Sequence, residues 1–346
     1  MTPTVMRTAV SVFATALATA SQATPAFAQS PDDTAAFFRG KTISAIVGFQ
    51  GGSSSDAYMR TFARHVSRHL PGNPNVVVQH MPGAGSLIAV QHLANVAPRD
   101  GTVFGLYNPG VLIEPLLNPQ SSRIDPRTFG WIGNFADEQT MCGFWSKDIS
   151  TLADLRKREI AFGATGGTAG SAVEGRLVAR MLGLKFRMVE GYRGLAEVRL
   201  AAERGEIDGH CALYMSILKS EQEAAWQAGK IKIPIQVGLT KHPELPEVPN
   251  LFDLVDEKQK NVLRLLATQW TVARPISMPP GVPPARIAAW RAAFDATMKD
   301  PEFLADAAKA KLYVRPLSAE KIEPIIAEMM QTPESVLQDA RAILKQ

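Results

Sequence analysis

The residues best suited to chemistry lie in a run of glycine, serine and aspartate, GFQGGSSSD, at residues 48–56. An apolar strand pattern at 43–47 precedes the run, and apolar residues at steps of three and four follow it, as in a helix. The run therefore predicts a strand-to-helix turn, in which backbone N–H groups, the helix dipole and hydroxyls converge on an anion such as a carboxylate. The alternative is an ordinary βα loop with Ser55 or Asp56 as the helix N-cap.

A similar loop occurs in the second half of the chain, where a strand pattern at 160–163 leads into ATGGTAGS at 164–171 and then into a helix pattern. In the first half, the loops at 81–86 and 108–110 also follow strand patterns. Ligands of open α/β sheets bind outside the carboxyl ends of the strands, so the loops of the first half are expected to lie together. Opposed helix N-termini in the two halves could hold the two ends of a dicarboxylate through backbone N–H groups.

Motifs of several common enzymes are missing from the sequence, which contains neither Gly-x-Ser-x-Gly nor His-Glu-x-x-His. A hydrolase that uses a loop serine with Asp56 is the alternative function, and it requires a histidine or lysine base near residues 53–55 or Ser171. No histidine lies within these loops. We therefore interpret Asp56 as a helix cap and the serines as hydrogen-bond donors, and we predict no catalytic residue.

The sequence predicts neither a metal site nor a cofactor. His65 and His69 have a spacing that can bind a metal ion, but Arg64 and Arg68 beside them favour a solvated basic face of a helix. The 346 residues are 46% hydrophobic and 20% charged, as in a soluble globular protein. The net charge of +4 comes from dispersed basic residues, which argues against nucleic acid as a partner.

Residues 1–28 have the pattern of a secretory signal peptide. Arg7 precedes an apolar stretch at 9–20, and Ala26-Phe27-Ala28 is a small-x-small cleavage site. We therefore predict an exported protein, periplasmic in a Gram-negative bacterium, that is cleaved after about Ala28. Cys142 and Cys211 could pair in an oxidising compartment or remain as buried free thiols, and the sequence leaves both options open.

Strand and helix patterns alternate along most of the chain and predict an α/β protein. The strand–loop–helix unit that occurs in each half is a weak pseudo-duplication, which favours two lobes. The apolar run at 76–78 predicts a strand that is buried on both faces. From about residue 243 to 284, repeated prolines predict long connections. Helices are predicted over 286–299, 302–310, 318–331 and 333–344.

Five blocks of the sequence resemble the Bug family, the periplasmic solute-binding proteins of tripartite tricarboxylate transporters. The blocks occur in the order of the family and lie at 49–56, 76–85, 97–102, 162–169 and 245–249. The resemblance covers about residues 35–345. It implies a two-lobed Venus-flytrap fold of type II-like periplasmic binding proteins, with a mixed sheet flanked by helices in each lobe. Residues 29–131 and 238–346 are expected in the first lobe and residues 132–237 in the second.

The resemblance also implies a ligand cleft between the lobes, in which backbone groups and water hold the ligand's carboxylates. Phe49 is expected to pack against the apolar part of the ligand, and Tyr192 lies where the family often has a tyrosine beside it. The expected ligand-binding residues are Phe49, Gln50, Gly51, Gly52, Ser53, Ser54, Asp56, Gly83, Ala84, Gly85, Asn108, Thr165, Gly166, Gly167, Thr168, Ala169, Ser171, Tyr192 and Tyr214.

The sequence departs from the family at two places. Gln50 and Gly51 replace prolines of the first loop, and Ala212 and Leu213 replace an aspartate–asparagine pair that faces the cleft. Without an acidic group there to pair with a ligand amine, we expect a plain carboxylate or a more apolar acid and not an amino acid.

The function implied by the resemblance is that of a monomeric, non-enzymatic receptor. It would capture a di- or tricarboxylate or a related organic acid for the membrane subunits of a tripartite transporter. A ligand sensor that docks on a signalling receptor is the alternative, which the sequence does not separate from a transport receptor.

Overall fold

The computed structural model describes residues 1–2, 31–120, 122, 124–165, 170–192 and 194–344. Most of the predicted signal peptide and the predicted site residues 166–169 lie outside this range. The strands in the described residues are β1 Thr42–Val47, β2 Asn75–His80, β3 Val103–Leu106, β4 Gly130–Asn134, β5 Thr140–Phe144, β6 Ile160–Gly163, β7 Phe186–Val189, β8 Gly209–Tyr214, β9 Lys232–Val237, β10 Pro275–Met278 and β11 Leu317–Ser318.

The helices in the same residues are α1 Pro31–Phe38, α2 Ser54–Val66, α3 Leu87–Asn95, α4 Glu114–Leu117, α5 Gly170–Leu182, α6 Leu195–Glu203, α7 Met215–Glu221, α8 Glu223–Gln227, α9 Glu257–Thr271, α10 Pro284–Thr297, α11 Pro301–Lys309, α12 Ala319–Met330 and α13 Glu334–Leu344. Within the described part of the chain, no helix combines the length and the apolar character needed to cross a bilayer.

The first sheet has six strands in the order β11-β4-β10-β3-β1-β2. Strand β1, next to the edge strand β2, is parallel to β2 and to β3, whereas β10 and β11 run antiparallel to their neighbours. Because β1, β2 and β3 are parallel, their carboxyl ends and the loops that follow meet at one edge of the sheet. Helix α2 covers this sheet with an apolar face at steps of three and four, formed by Tyr58, Met59, Phe62 and Val66.

The second sheet has five strands in the order β7-β6-β8-β5-β9. Its β6 is parallel to β7 and β8, while β5 runs antiparallel to β8 and β9. The backbones of β5 and β8 approach so closely that a Cβ at Gly209 would lie 2.2 Å from the Gly143 carbonyl oxygen. Cys142 on β5 and Cys211 on β8 form a disulfide, which settles the pairing that the sequence left open.

A single hydrophobic cluster joins the two sheets through the C-terminal helices. It contains Trp131 of β4, Phe144 of β5 and Trp270 of α9. Helix α13 packs against both α5 and α9. The predicted lobe boundary between residues 131 and 132 falls inside β4, which belongs to the first sheet. The division into lobes stays a prediction, and we now propose that the first crossing lies between Asn134 and Thr140.

Predictions about the proline-rich segment and about the histidine pair were wrong. The segment predicted as long connections contains the 15-residue helix α9, which begins with a capping box between Asp256 and Gln259. His65 and His69 do not form a solvated face: His65 is buried, and the two rings contact Asp306 and Asp300 of the α11 region at 3.0 and 2.7 Å.

Candidate functional site

Three loops meet at the carboxyl edge of the first sheet, as the sequence predicted, and the side chain of Ser86 joins them. Its hydroxyl donates to the Gly48 carbonyl oxygen at 2.8 Å and accepts the Asn108 N–H at 3.1 Å. Residues 83–86 all have positive φ angles, although Ala84 and Ser86 are not glycines. Such a left-handed run is strained for residues with a Cβ. The bonds of Ser86 stabilise it and so place the loops after β1, β2 and β3 together.

Ser53, and not Ser55 or Asp56, is the N-cap of α2. Its hydroxyl accepts the Asp56 N–H at 3.2 Å, and the Asp56 carboxylate accepts the Gly52 N–H at 2.8 Å. Each of the two side chains thus accepts a hydrogen bond from a backbone N–H at the start of the helix, as in a capping box. Gly52 has φ +80, a left-handed conformation that glycine adopts without strain.

Asp56 is a buried carboxylate paired with two cationic or potentially cationic side chains. Oδ1 lies 2.8 Å from His80 Nε2 at the end of β2 and 2.8 Å from Arg60 Nε one turn along α2. Burial alone would raise the pKa of Asp56, but the Gly52 N–H, His80 and Arg60 together hold that pKa below its usual value. A carboxylate held in this way is a poor general base, since its affinity for a proton is reduced.

Folding brings His80 to Asp56, which the sequence did not reveal, and this bears on the hydrolase alternative. Among the described residues, no hydrogen bond joins His80 to a serine hydroxyl. Ser53 Oγ is occupied by the helix cap, and Ser171 Oγ accepts the Thr165 N–H at 3.3 Å. The geometry that activates a serine nucleophile, with its hydroxyl bonded to the base, is therefore not formed by these residues.

A cavity of about 260 Å³ lies at the N-terminus of α2, between the two lobes. Gly52, Ser53, Ser54 and Tyr58 line it on the side of the first lobe, and Ser216, Ile217, Ser220 and Glu221 of α7 line it on the side of the second. Lys311 lines it too, and its Nζ donates across the cleft to the Ser220 carbonyl oxygen at 3.2 Å.

The first turn of α2 offers this cavity free hydrogen-bond donors. No hydrogen bond between described residues uses the N–H of Ser54 or Ser55, whereas the next two N–H groups are bonded to Ser53. The carboxylate of Glu221, the acidic residue of the lining, is paired with Arg199 at 2.7 Å. The helix terminus, Lys311 and the hydroxyls therefore make this side of the cavity favourable to an anion.

The predicted loop of the second lobe is described only at its ends. Thr165 and Ser171 lie at the start of α5 and are joined by the bond from the Thr165 N–H to Ser171 Oγ. Gly166, Gly167, Thr168 and Ala169 lie outside the described residues. Tyr192 is half-buried and packs against the cluster around Val198 on α6, and burial raises the pKa of its hydroxyl.

The end of β8 is apolar at Ala212 and Leu213, as the sequence indicates, but an acidic side chain from α5 lies directly behind it. Glu174 accepts hydrogen bonds from the Ala212 N–H at 2.8 Å, from Trp270 Nε1 at 3.0 Å and from the hydroxyl of Thr140. Its carboxyl is thereby bonded to β8, β5 and α9. These donors occupy both of its oxygens, so Glu174 is positioned to join the lobes and not to bind a ligand amine.

Glu174 is expected to make the stability of the fold pH-dependent. Burial raises the pKa of its carboxyl from 4.5 to about 7, so the folded state keeps a proton that the unfolded state loses. The stabilisation is complete below pH 4.5 and is lost as the pH rises to about 7. Urea titrations give the free energy of unfolding of wild type and of Glu174→Gln. Between these pH values, the free energy of wild type should fall relative to that of the variant by up to about 1.4 kcal/mol per pH unit. If the two proteins differ in unfolding free energy by a constant amount from pH 4 to 8, this assignment is wrong.

Sequence reasoning missed a charged pair between the lobes. Arg274, in the short link between α9 and β10, lies 3.3 Å from Glu138, whose other carboxylate oxygen accepts the Ser216 hydroxyl at 2.5 Å. The guanidinium faces the rings of Tyr58 and Tyr214, at 5.6 and 5.9 Å from their centroids. The sequence contains no local signal for this arrangement, because the four elements that form it are far apart along the chain.

The predicted site residues are therefore only partly brought together. Gly52, Ser53 and Ser54 line the cavity between the lobes, whereas Phe49, Gln50, Gly51 and Asp56 of the same loop are not among its lining residues. Phe49 packs against the core of the first lobe. Other predicted residues are not among those that line this cavity; they are Gly83, Ala84, Gly85, Asn108, Thr165, Ser171, Tyr192 and Tyr214. The described residues contain no group of three or more acidic, histidine or cysteine side chains that could hold a metal ion.

Comparisons with known proteins give matches in structure only. No model of a protein family matches the chain, and no curated protein matches it in sequence. A TctC solute-binding protein from Polaromonas matches with a TM-score of 0.64 at 17% identity, over 88% of this chain and 98% of the other. The periplasmic binding protein BugD matches with a TM-score of 0.62 at 18% identity, over 88% and 97%.

A third match is MatC from Rhodopseudomonas palustris with bound malate, with a TM-score of 0.61 at 15% identity, over 88% of this chain and 99% of the other. The names of these proteins agree with the family that the sequence resembles. At such low identity the likeness shows the fold, so the predicted two-lobed α/β fold of periplasmic binding proteins is confirmed.

Proposed function

We propose that this protein is a periplasmic solute receptor that captures a small carboxylate in the cavity between its lobes. The observation that carries the proposal is the start of α2, where the N–H groups of Ser54 and Ser55 have no partner among the described residues. Ser54 lines the cavity, and Lys311 lines it too. A carboxylate there would gain charge-assisted hydrogen bonds and a favourable interaction with the helix dipole. MatC, which shares the fold, was solved with malate, a dicarboxylate.

The energetics favour a ligand that reaches both lobes. A hydrogen bond to a charged group contributes about 1.5–3 kcal/mol, so the two N–H groups of α2 supply roughly 3–6 kcal/mol. Micromolar binding requires about 8.2 kcal/mol, and association has an entropic cost besides. Further donors must therefore come from the second lobe, where Ser220 of α7 lines the same cavity. A ligand held from both sides would favour the closed arrangement of the lobes.

The ligand class can be tested by a thermal-shift screen of the protein from residue 29 onwards, using acetate, malate and citrate with glucose and lysine as controls. An acid present at a hundred times its dissociation constant should stabilise the fold by about 2.7 kcal/mol. Glucose and lysine should leave the transition where it is. If none of the acids raises the melting temperature, the proposal of a carboxylate receptor is wrong.

Ser54→Pro tests the helix terminus itself and is expected to weaken binding of the best acid at least tenfold. Ser54 is the first residue of α2, where proline fits a helix, and Ser53 has φ −73 and ψ 162, a conformation that is favourable before proline. The variant thus removes one N–H donor with little disturbance of the helix. Calorimetric titration measures the affinity, and Ser54→Ala separates the N–H from the hydroxyl.

Glu257→Pro is the matched control for this variant. It places proline at the first residue of α9, after Asp256, whose φ of −73 and ψ of 169 are nearly those of Ser53. The affinity of this control should equal that of wild type, since neither Asp256 nor Glu257 lines the cavity. Equal affinity of Ser54→Pro and wild type would show that the terminus of α2 does not bind the ligand.

We further propose that the receptor is exported, acts without catalysis and passes its ligand to the membrane subunits of a tripartite transporter. The sequence blocks shared with the Bug family and the confirmed fold support this proposal. Neighbouring genes for such membrane subunits would distinguish transport from the role of a ligand sensor on a signalling receptor.

A further inference from the structure

The backbone of Arg274 is held in place at the end of the first sheet. Its backbone N–H donates to Asn134 Oδ1 at 2.7 Å, and its carbonyl oxygen accepts the Phe135 N–H at 3.1 Å. These bonds attach it to the end of β4, next to the first crossing between the lobes. Its side chain is only 11% exposed. The guanidinium is therefore a buried cation with a well-defined location.

Arg274 does not itself line the cavity of the proposed receptor site, but side chains next to it do. Tyr58, whose ring faces the guanidinium, lines that cavity, and so does Ser216, which donates to the Glu138 carboxylate beside Arg274. Tyr214 faces the guanidinium from the end of β8. Side chains from both lobes thus surround Arg274, and two of its neighbours form part of the cavity wall.

The hydrogen bonding of this guanidinium is far from complete. Its five N–H donors make one hydrogen bond in the described structure. Nη1 donates to the carbonyl oxygen of the preceding residue, Ala273, at 3.3 Å. Nε is buried without an acceptor, and the Glu138 oxygen at 3.3 Å from Nη2 is itself buried without a donor. A buried guanidinium normally has its donors satisfied, most often by a two-pronged carboxylate.

We propose that Arg274 is the residue that binds a carboxylate of the ligand beside Tyr58, with Glu138 as an internal carboxylate that competes for it. This inference rests on the proposed receptor function and specifies it, since it adds a charged side chain to backbone donors. The Arg274 donors that Glu138 leaves unused are those that the ligand's carboxylate would accept. The chemical class of the ligand is then an acid with at least one carboxylate that can reach the guanidinium beside Tyr58.

The competition gives opposite expectations for the two members of the pair. The test uses whichever of acetate, malate and citrate binds wild type most tightly, with affinities from calorimetric titration of the protein from residue 29 onwards. Arg274→Gln should weaken binding at least tenfold, and Arg274→Lys should also weaken it because an ammonium lacks the planar fork. Glu138→Gln should strengthen binding threefold or more, since the ligand no longer competes with a charged neighbour.

Two further variants test whether destabilisation of the fold, or the loss of any arginine near the crossing, could explain weaker binding. Arg274→Gln leaves Glu138 buried and unpaired, which can destabilise the fold, so the double variant Arg274→Gln with Glu138→Gln is measured as well and should bind as weakly as Arg274→Gln. Arg315→Gln is the matched control. Arg315 pairs with Asp137 at 3.2 Å on the neighbouring part of the same crossing. Unlike Tyr58 and Ser216 beside Arg274, Asp137 does not line the site cavity, so the loss of Arg315 should leave the affinity unchanged.

The outcomes separate this inference from the receptor function. If the pair only ties the lobes together, Glu138→Gln will weaken binding, or the double variant will bind like wild type, and either result overturns the role of Arg274. If Ser54→Pro weakens binding while the Arg274 variants do not, the receptor function stands and this inference alone is wrong. If wild type binds none of the three acids, the receptor function itself fails.

Discussion

Replacing Cys142 and Cys211 together with alanine is expected to lower the free energy of unfolding by about 4 kcal/mol. The two residues are 69 positions apart, and a cross-link that closes a loop of this length restricts the unfolded chain by roughly that amount. Both side chains are fully buried between the strands β5 and β8. Alanine is the replacement of choice there, because serine would bury hydroxyls without assured partners.

Urea unfolding of the double variant and of wild type, each with and without a reducing agent, measures this contribution. Wild type in reducing agent should approach the double variant in stability, while the double variant, which has no cysteine, should not respond to the agent. A stability loss below about 1 kcal/mol would contradict the expectation. It would mean that the β5–β8 pairing survives in the unfolded state and already restricts the chain.

The parts of the fold that the sequence predicted are those with local signals. The strands at the start of each loop and the helices after them follow from apolar periodicity, and β1–α2 and β6–α5 are formed as predicted. The composition of the loops at 48–56 and 81–86 also placed them correctly at one edge of a sheet. Periodicity did not reveal sheet order: the apolar run at 76–78 is not doubly buried, because β2 is an edge strand and Val77 is 39% exposed.

The parts that escaped prediction depend on residues that are distant in the chain. Ser86 joins three loops from a left-handed conformation that its residue type does not suggest. Lys311 lines the cavity from just beyond the end of α11, and Arg274 reaches the ring of Tyr58 from the link after α9. The prolines around α9 indicated loops, although the capping box at Asp256 was a local signal for a helix. The acidic partners of His65 and His69 lie more than 230 residues further along the chain.

Asp56→Ala is expected to lower the affinity for the ligand at least tenfold and the free energy of unfolding by about 2 kcal/mol. The carboxylate closes the turn through the Gly52 N–H and caps the start of α2, and the loss of such a cap costs about 0.5–2 kcal/mol. Without it, residues 50–53 must be ordered on binding, at roughly 1 kcal/mol or more for each residue.

An opposite effect of charge is too small to reverse this expectation. Removing Asp56 leaves Arg60 without its partner, and a free cation near the cavity attracts an anion. However, the Arg60 side chain is 53% exposed, and charges exposed to this degree contribute about 0.2–1 kcal/mol. The entropic cost of ordering the loop exceeds this electrostatic gain, so the affinity should fall and not rise.

Two control variants separate the order of the loop from its charge. Asp56→Asn removes the charge but keeps an oxygen for the Gly52 N–H, and it should retain most of the affinity in calorimetric titration. Asp256 is the N-cap of α9, and its side chain accepts the Gln259 N–H at 2.8 Å. Asp256→Ala should therefore lower the free energy of unfolding by about 1 kcal/mol and leave the affinity for the ligand unchanged. If Asp56→Ala binds the acid as tightly as Asp256→Ala does, the turn that Asp56 closes does not contribute to ligand binding.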